Sequence, residues 1–104
     1  MSKYTYIFVR QDLSLEQQMV QSGHACLLLG TKYPDIDAQS TNFVLVGVRN
    51  EDGLFAIERI LKKFEIEYVR FIEPDIGDQA TAIATIPMDR DQRGPLLAFN
   101  TLKV

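Results

Sequence analysis

Two short apolar runs, separated by a segment long enough for a helix, constrain the fold of this chain more than any other feature. The first run is Tyr4 to Val9 and the second is Phe43 to Val48. Their β-branched and aromatic residues, hardly interrupted by polar ones, are typical of strands that are buried on both faces of a sheet. Strands separated by a helix pair in parallel through a right-handed crossover. The sequence therefore predicts a β-α-β unit at its start.

Two segments carry the signals of helices. Ser14 and Gln17 have the Ser-x-x-Gln spacing of a capping box, and Gly30 is the expected stop, so the first helix is predicted from Ser14 to about Leu29. Asn50 is the expected cap of a second helix. The apolar positions of that helix recur at spacings of three, four and three residues, which is one face of a 3.6-residue period: Leu54, Ile57, Leu61 and Phe64.

Two further strands are predicted in the second half of the chain, at Glu65 to Ile72 and at Gln79 to Ile86. The loop between them, Glu73 to Asp78, is too short for a parallel crossover, so we expect the fourth strand to be antiparallel to a neighbour. Met88 to Pro95 is predicted to be a polar loop. The tail after it is expected to pack through Leu97 and Phe99.

These elements predict an α/β fold with three layers. A four-stranded mixed sheet in the order β-α-β-α-β-β would have helices on its faces, and residues 1–104 would form a single domain. The chain has 104 residues with 11 Lys+Arg against 14 Asp+Glu, a net charge of −3 that excludes nucleic-acid binding by bulk charge alone. The apolar stretch at the N-terminus is too short for a signal peptide, and no run approaches a membrane span.

The single cysteine, Cys26, cannot form an intrachain disulfide, and we expect a reducing, cytoplasmic compartment. The only histidine, His24, is two residues away, so on a helix the two side chains point to nearly opposite sides. A Cys–His dyad is therefore not expected, and Cys26 is interpreted as a small core residue. The chain has no metal-ligand cluster and no nucleotide-binding motif, so we expect neither metal nor cofactor.

Gln17, Gln21 and His24 are spaced four and three residues apart and share one face of the first helix. This stripe begins at the helix N-terminus, where free N–H groups and the dipole favour anions, so it could hold a phosphate or a carbonyl. The alternative is a polar face that simply meets solvent. The pattern alone favours that alternative, because every amphipathic helix has a polar face.

Polar residues also follow two of the predicted strands. Asp75 could be a general base or an orienting group, with Thr81 close enough in sequence to share a site. A solvated turn is the alternative, because Pro, Asp and Gly are ordinary turn residues. Arg10 and Asp12, after the first strand, could pair with each other or bind a substrate phosphate.

The motifs in this order resemble the type II peptidyl-tRNA hydrolase family. Arg10-Gln11-Asp12-Leu13 is similar to the Arg-x-Asp-Leu that ends a strand in that family, and Gln21-Ser22-Gly23-His24-Ala25 is similar to its helical Gln-x-x-His-Ala. Asp75-Ile76-Gly77 resembles its Asp-Ala-Gly loop, and Thr81 with Ile86-Pro87 resembles its last strand. The resemblance covers most of the chain in order and spacing.

The resemblance implies a four-stranded mixed sheet, often in a dimer, that hydrolyses the ester between a peptide and the terminal ribose of tRNA without a metal. It would make Asp75, Thr81, His24 and Gln17 the catalytic group. The residues that bind substrate would be Gln21, Arg10, Asp12 and Gly77. Water would attack the ester carbonyl with help from Asp75, and the partners would be peptidyl-tRNA and a second copy of the chain.

One residue and one loop depart from the family pattern. Gln17 stands where the family usually has a lysine, so it brings no positive charge, and the loop from Asp75 to Thr81 is shorter and lacks a further threonine. These departures favour a second hypothesis beside the hydrolase. Under it, the chain is a binding or regulatory protein that keeps the fold and holds a small ligand or a protein partner in the same cleft.

Overall fold

Four strands and two helices make up residues 2–99, the part of the chain that the computed structural model describes. The order β-α-β-α-β-β is confirmed. The elements are β1 (Lys3–Arg10), α1 (Leu15–Lys32), β2 (Thr41–Val48), α2 (Glu51–Lys63), β3 (Tyr68–Glu73) and β4 (Gln79–Thr85). Single turns of 3-10 helix occupy Ala38–Ser40, Pro74–Ile76 and Gly94–Leu96.

The strands form one mixed sheet in the spatial order β2-β1-β4-β3. β1 and β2 are parallel, whereas β4 lies antiparallel to both of its neighbours, β1 and β3. The mixed sheet is therefore confirmed, including the antiparallel fourth strand. Because β1, β2 and β3 run in the same direction, their C-terminal ends meet at one edge of the sheet, where β4 begins. We call this edge, formed by residues 10–12, 48–51 and 73–79, the carboxyl edge.

The helices cover opposite faces of the sheet, because side chains alternate along each strand. On β1, Tyr6 and Phe8 belong to the cluster that includes α2, while Ile7 and Val9 belong to the cluster that includes α1. Ala25 and Leu29 of α1 pack on this second cluster. β1 thus lies at the centre of both cores, as its apolar run predicts.

The same prediction of burial on both faces is wrong for β2. β2 is an edge strand, and only Val46 among its residues is buried, while Phe43 is 59% exposed. The reason is position in the sheet, because α1 packs mainly against β1, β3 and β4. An apolar run identifies a strand, but it does not say whether neighbours cover both of its faces.

The ends of the helices differ from the predicted ones. α1 passes through Gly30 to Lys32, and the N–H of Tyr33 closes it on the Leu29 carbonyl at 2.8 Å. Asn50 caps α2 as predicted, by accepting from the N–H of Gly53 at 3.1 Å. Phe64 ends α2 as its C-cap and is 49% exposed, rather than forming part of the buried face.

β3 begins later than the predicted Glu65 because the chain after α2 first closes the helix. The N–H groups of Glu65 and Ile66 bond the carbonyls of Lys62 and Leu61 at 3.2 and 2.8 Å, which is the Schellman pattern. Glu65 has φ 56°, the left-handed conformation that this pattern requires. Residues that close a helix in this way cannot also extend as a strand.

The segment after β4, predicted to be a polar loop, contains residues that are buried in the core. Met88 is fully buried and pairs with Tyr4 through two backbone hydrogen bonds of 2.8 Å. Phe99 packs edge-on against Phe8 as expected, but Leu97 is 58% exposed and its neighbour Leu96 is the buried residue. The rest of the predicted tail lies outside the described residues.

Candidate functional site

The side chain of Gln21 joins α1 to the carboxyl edge. It is 1% exposed, and its Nε2 donates to Oε1 of Glu73 at 2.9 Å. Its Oε1 accepts from the Thr81 hydroxyl at 2.7 Å. A second Nε2 contact, at 3.3 Å, reaches Oε1 of Gln17 one turn earlier. A buried amide needs such partners, because an unpaired polar group in a core is costly.

A β-bulge explains why Thr81 reaches this amide. Ile72 lies opposite Ala80, whereas Phe71 lies opposite Ala82, so Thr81 is the extra residue of β4 at that point. The side chain of Thr81 therefore turns to the α1 face, where Ala82 also packs. Thr81 is fully buried.

His24 lies one turn after Gln21 in α1, and its ring contacts Phe71 of β3. Its ring is stacked on Phe71 with centroids 4.5 Å apart and an angle of 5° between the planes. His24 is half-buried, and Gln17, at the beginning of the stripe, is exposed. Gln21 and His24 are therefore packed against β3, and of the three residues of the stripe Gln17 alone lies on the exposed surface.

Asp75 lies in the 3-10 turn after β3 and is exposed. The carboxylate that bonds Gln21 belongs to Glu73, two residues earlier. Gly77 closes the turn with φ 77°, and Asp78 follows with φ 58°. Gly77 thus fits a position that disfavours residues with a Cβ atom. The acidic turn, residues 73–78, therefore contacts the polar stripe of α1. The contact is the hydrogen bond between Gln21 and Glu73.

Arg10 and Asp12 form the ion pair that the sequence allows. Two guanidinium nitrogens of Arg10 donate to the two carboxylate oxygens of Asp12 at 2.9 and 2.8 Å. The third nitrogen donates to Gln79 Oε1 at 2.7 Å and to the Ala80 carbonyl at 3.1 Å. Arg10 is 7% exposed, so this guanidinium ties β1 to β4 within the fold. Its hydrogen bonds lower the pKa of the Asp12 carboxyl, although partial burial acts in the opposite direction.

Carboxylates outnumber cations along the carboxyl edge and the first turns of both helices. The basic residues there are Arg10, which is engaged, and Arg49. The acidic ones are Asp12, Glu16, Glu51, Asp52, Glu73, Asp75 and Asp78. Within residues 2–99, no group of three or more acidic, cysteine or histidine side chains has the arrangement of a metal site.

Three cavities lie away from this network. Their volumes are about 520, 450 and 120 Å³, they are lined by other parts of the chain, and none has a predicted site residue on its wall. The groups around Gln21 that a substrate can reach are Gln17 and Asp75, which are exposed, and His24, which is half-buried.

Glu73 is the residue of this network that sequence reasoning did not single out. The sequence predicts a loop from Glu73 to Asp78 and points to Asp75 as its candidate functional residue. A signal was present in the alternation of β3, which puts Val69, Phe71 and Glu73 on one face. What the alternation could not show is that Gln21, 52 residues away, lies above that face.

Comparison with known proteins identifies a similar fold and no family. No protein-family model matches the chain, and no curated protein matches it. Among solved structures, the chain is similar to a protein of unknown function from Agrobacterium tumefaciens strain C58, with a TM-score of 0.73 and 11% identity. The match covers 99% of both chains, and at this identity it shows the fold alone. In the described part of the chain, neither helix has the length and apolar character that crossing a membrane requires.

Replacing Gln21 with methionine tests whether this amide holds α1 on the sheet. The change leaves Thr81 without its acceptor and Glu73 without its donor, so we expect a loss of about 1–3 kcal/mol in the free energy of unfolding. Urea unfolding measures this loss, provided that the dependence of the unfolding free energy on urea concentration is the same in both proteins. The matched control, Gln17→Met on the exposed turn, should stay within about 0.5 kcal/mol. Equal effects of the two changes would contradict the structural role of Gln21.

Replacing Asp12 with asparagine tests the ion pair through its pH dependence. A carboxyl whose pKa is lowered in the folded state stabilises the fold above its unfolded pKa of about 3.9, and loses that effect as the pH falls through the folded value. We expect Asp12→Asn to cost about 1 kcal/mol at pH 7, allowing for solvent screening. The difference from the wild type should shrink below about pH 4. Unfolding curves at pH 7 and pH 3 measure this, and the exposed Asp35→Asn is the control. A difference that stays constant across this range would reject the ion pair as its source.

Proposed function

We propose that this chain hydrolyses an ester of an acylated amino acid, the reaction that its resemblance to peptidyl-tRNA hydrolases suggests. The observation that carries the proposal is the hydrogen bond from Gln21 to Glu73 at 2.9 Å. This contact joins the helix that carries the Gln-x-x-His motif to the turn that carries Asp75. The bond from Thr81 to Gln21 adds the last strand, so the segments with motif residues meet at the carboxyl edge.

Within this proposal the residues have two kinds of role. Gln21 and Thr81 are buried and bonded to each other, so they act as positioning residues that hold the site together. Asp75, Gln17 and His24 are at least partly accessible and could touch substrate. Accessible donors are the groups that can stabilise an oxyanion, since they need not give up a buried hydrogen bond first.

The proposed reaction adds one water across the ester. Asp75 accepts a proton from the water as its oxygen attacks the carbonyl carbon, and the developing oxyanion accepts a hydrogen bond from the Gln17 amide. When the bond from carbon to the ribose oxygen breaks, that oxygen takes the proton from Asp75. The products are a carboxylic acid and an alcohol, and the enzyme returns to its initial protonation state.

The negative charge of the carboxyl edge affects which alcohol the substrate ester can contain. Carboxylates dominate this surface, and Arg10 is already bonded to Asp12 and Gln79. A polyanion such as tRNA gains affinity from free cations, which release its counterions. We therefore expect an ester without phosphates, such as an N-acylaminoacyl adenosine, to be a better substrate than intact peptidyl-tRNA.

The test of the reaction is the substitution Asp75→Asn. The amide keeps the shape of the side chain but accepts no proton, so hydrolysis of an N-acetyl-aminoacyl adenosine should fall by about 10²- to 10⁴-fold. The matched control is Asp78→Asn in the same acidic turn, where Asn tolerates the left-handed φ of 58°. It should keep the wild-type rate. Release of the N-acetyl amino acid at the same rate by wild type and Asp75→Asn would overturn the proposal.

The substitution Gln17→Lys tests whether missing charge limits the use of tRNA. An added cation at this exposed position should strengthen binding of peptidyl-tRNA and steepen the logarithmic salt dependence by up to about one. Gln39→Lys is the control, because it adds the same charge just before β2, at the edge opposite to the site. Filter binding at several salt concentrations distinguishes the two. Equal gains for both variants would point to net charge alone.

The second candidate is a binding protein that keeps this arrangement without turnover. It is favoured by the burial of Gln21 and Thr81, whose polar groups are engaged with each other and with Glu73. Under this hypothesis an N-acetyl-aminoacyl adenosine stabilises the wild type against heat, a Gln17/His24 double alanine variant is not stabilised, and no product forms.

A further inference from the structure

The two edge strands of the sheet differ in their protection against pairing with another chain. β3, at one edge, has six residues and carries the charged side chains of Arg70 and Glu73. β2, at the other edge, has eight residues with no charge and no proline, and it pairs with β1 along its whole length without a bulge. Charges, prolines and bulges are the features by which edge strands of monomers avoid further pairing. β2 has none of them.

Alternate residues of β2 direct their backbone groups away from β1. Within a strand the N–H and C=O of one residue point to the same side, and the side changes at each residue. The Val48 carbonyl points to β1, because it accepts from the N–H of Gln11 at 2.7 Å. Phe43, Leu45 and Gly47 therefore present their N–H and C=O groups on the side of β2 with which no other strand of residues 2–99 pairs. We call this side the outer side of β2. An extended backbone segment offers matching groups at the same spacing.

The order of residues in β2 favours a second copy of the same strand as that segment. In an antiparallel pair, residues with outward groups lie opposite one another. With a two-fold axis at Leu45, this residue lies opposite itself, and Phe43 of each copy lies opposite Gly47 of the partner subunit. The three pairs form about six backbone hydrogen bonds. The ring of Phe43 thus lies opposite the residue of β2 without a side chain, beside Gln11, which packs on that glycine.

Exposed apolar side chains extend this surface beyond the backbone. Phe43 is 59% exposed and lies on the α1 side of the sheet with Leu45. Leu15 and Met19 are 71% and 72% exposed, and their spacing from Cys26 places all three on one flank of α1. That flank faces β2, because Cys26 and Phe43 line the same cavity of about 120 Å³. A two-fold axis perpendicular to the sheet makes the flanks of two copies face each other across the paired strands.

Opposite charges lie at the two ends of β2. Arg49 follows the strand, is exposed and forms no ion pair within residues 2–99. Asp37 precedes the strand, where its carboxylate accepts from Ser40 Oγ and the Gln39 N–H at 2.7 and 3.1 Å. Its carbonyl accepts from Thr41 Oγ1 at 2.8 Å, which holds Asp37 beside the first residue of β2.

These charges distinguish antiparallel from parallel pairing. In the antiparallel pair centred on Leu45, Arg49 lies opposite Thr41 of the partner subunit and therefore close to the partner's Asp37. The two-fold axis repeats this contact at the other end. A parallel pair would instead place each of these charges beside its own copy, and like charges repel.

We propose that two copies of this chain associate through the outer side of β2, antiparallel and with the two-fold axis at Leu45, so that their sheets join into one of eight strands. Main-chain hydrogen bonds, the apolar side chains on the α1 side and the Arg49–Asp37 contacts hold the two copies together. The proposal does not rest on the proposed hydrolysis, because none of the residues with a role in that reaction contributes to the interface.

Replacing Phe43 with lysine tests this interface. The change removes an apolar ring and places a charge on the edge strand of both copies, so we expect the dissociation constant of the dimer to rise by roughly 10- to 100-fold. Sedimentation equilibrium over a range of protein concentrations measures it. Phe64→Lys makes the same change at the exposed C-cap of α2 and should leave the constant unchanged. Equal effects of the two variants would overturn the proposal. So would a wild-type chain that is monomeric at every concentration, in which case β2 is open to a strand of another protein.

A charge exchange tests the antiparallel direction. Arg49→Asp and Asp37→Arg should each weaken the dimer by roughly two- to tenfold, because each places like charges together at both ends of the pair. The double variant restores opposite charges and should regain affinity relative to either single variant. Losses that simply add in the double variant would contradict the proposed pairing.

Hydrogen exchange of the wild-type protein provides a measurement that needs no variant. The amides of Phe43, Leu45 and Gly47 should exchange slowly where the dimer predominates and faster on dilution, because only the partner's strand accepts from them. The amides of Val44 and Val46 point to β1 and should be slow in both samples. Fast exchange of the three outward amides in a sample that sediments as a dimer would overturn the proposal, because the interface would then lie elsewhere.

Discussion

Burial of β1 on both faces is the constraint on which the rest of this structure depends. Residues from Thr5 to Arg10 are all buried, and the two cores meet on opposite sides of this strand. Burial extends to Arg10, a cation that needs partners when water is removed. Asp12, Gln79 and the Ala80 carbonyl supply them. The end of β1 is thereby joined to the start of β4, so the carboxyl edge is organised by the same strand that forms the core.

The small side chains of β4 set how closely α1 approaches the sheet. Ala82 and Ala84 belong to the core cluster under the helix, together with Ala25 of α1. Close approach brings Gln21 within reach of Thr81 and Glu73, and the bulge of β4 turns Thr81 toward it. The amide is therefore a structural tie and a part of the candidate site at once. A residue with both roles links the stability of the helix to the geometry of the surface beside it.

Much of the fold could be predicted from local patterns. Asn50 caps α2, and Arg10 pairs with Asp12, because each contact involves residues only a few positions apart. The short loop before β4 predicts its antiparallel direction for the same reason. Predictions of burial were weaker. Phe43 belongs to the most apolar run yet is largely exposed, while Met88 in a polar segment is fully buried, because burial depends on which element covers each residue.

The sequence by itself determined the order and type of the elements, the mixed direction of the sheet and the identity of the acidic turn. These follow from periodicity, capping residues and loop length, which act over a few residues. Only the tertiary structure decided that β2 lies at the edge and that Glu73 is the carboxylate that meets Gln21. Each of these depends on how helices and strands distant in sequence pack together, and the space between them is shared by both partners, so neither segment specifies it alone.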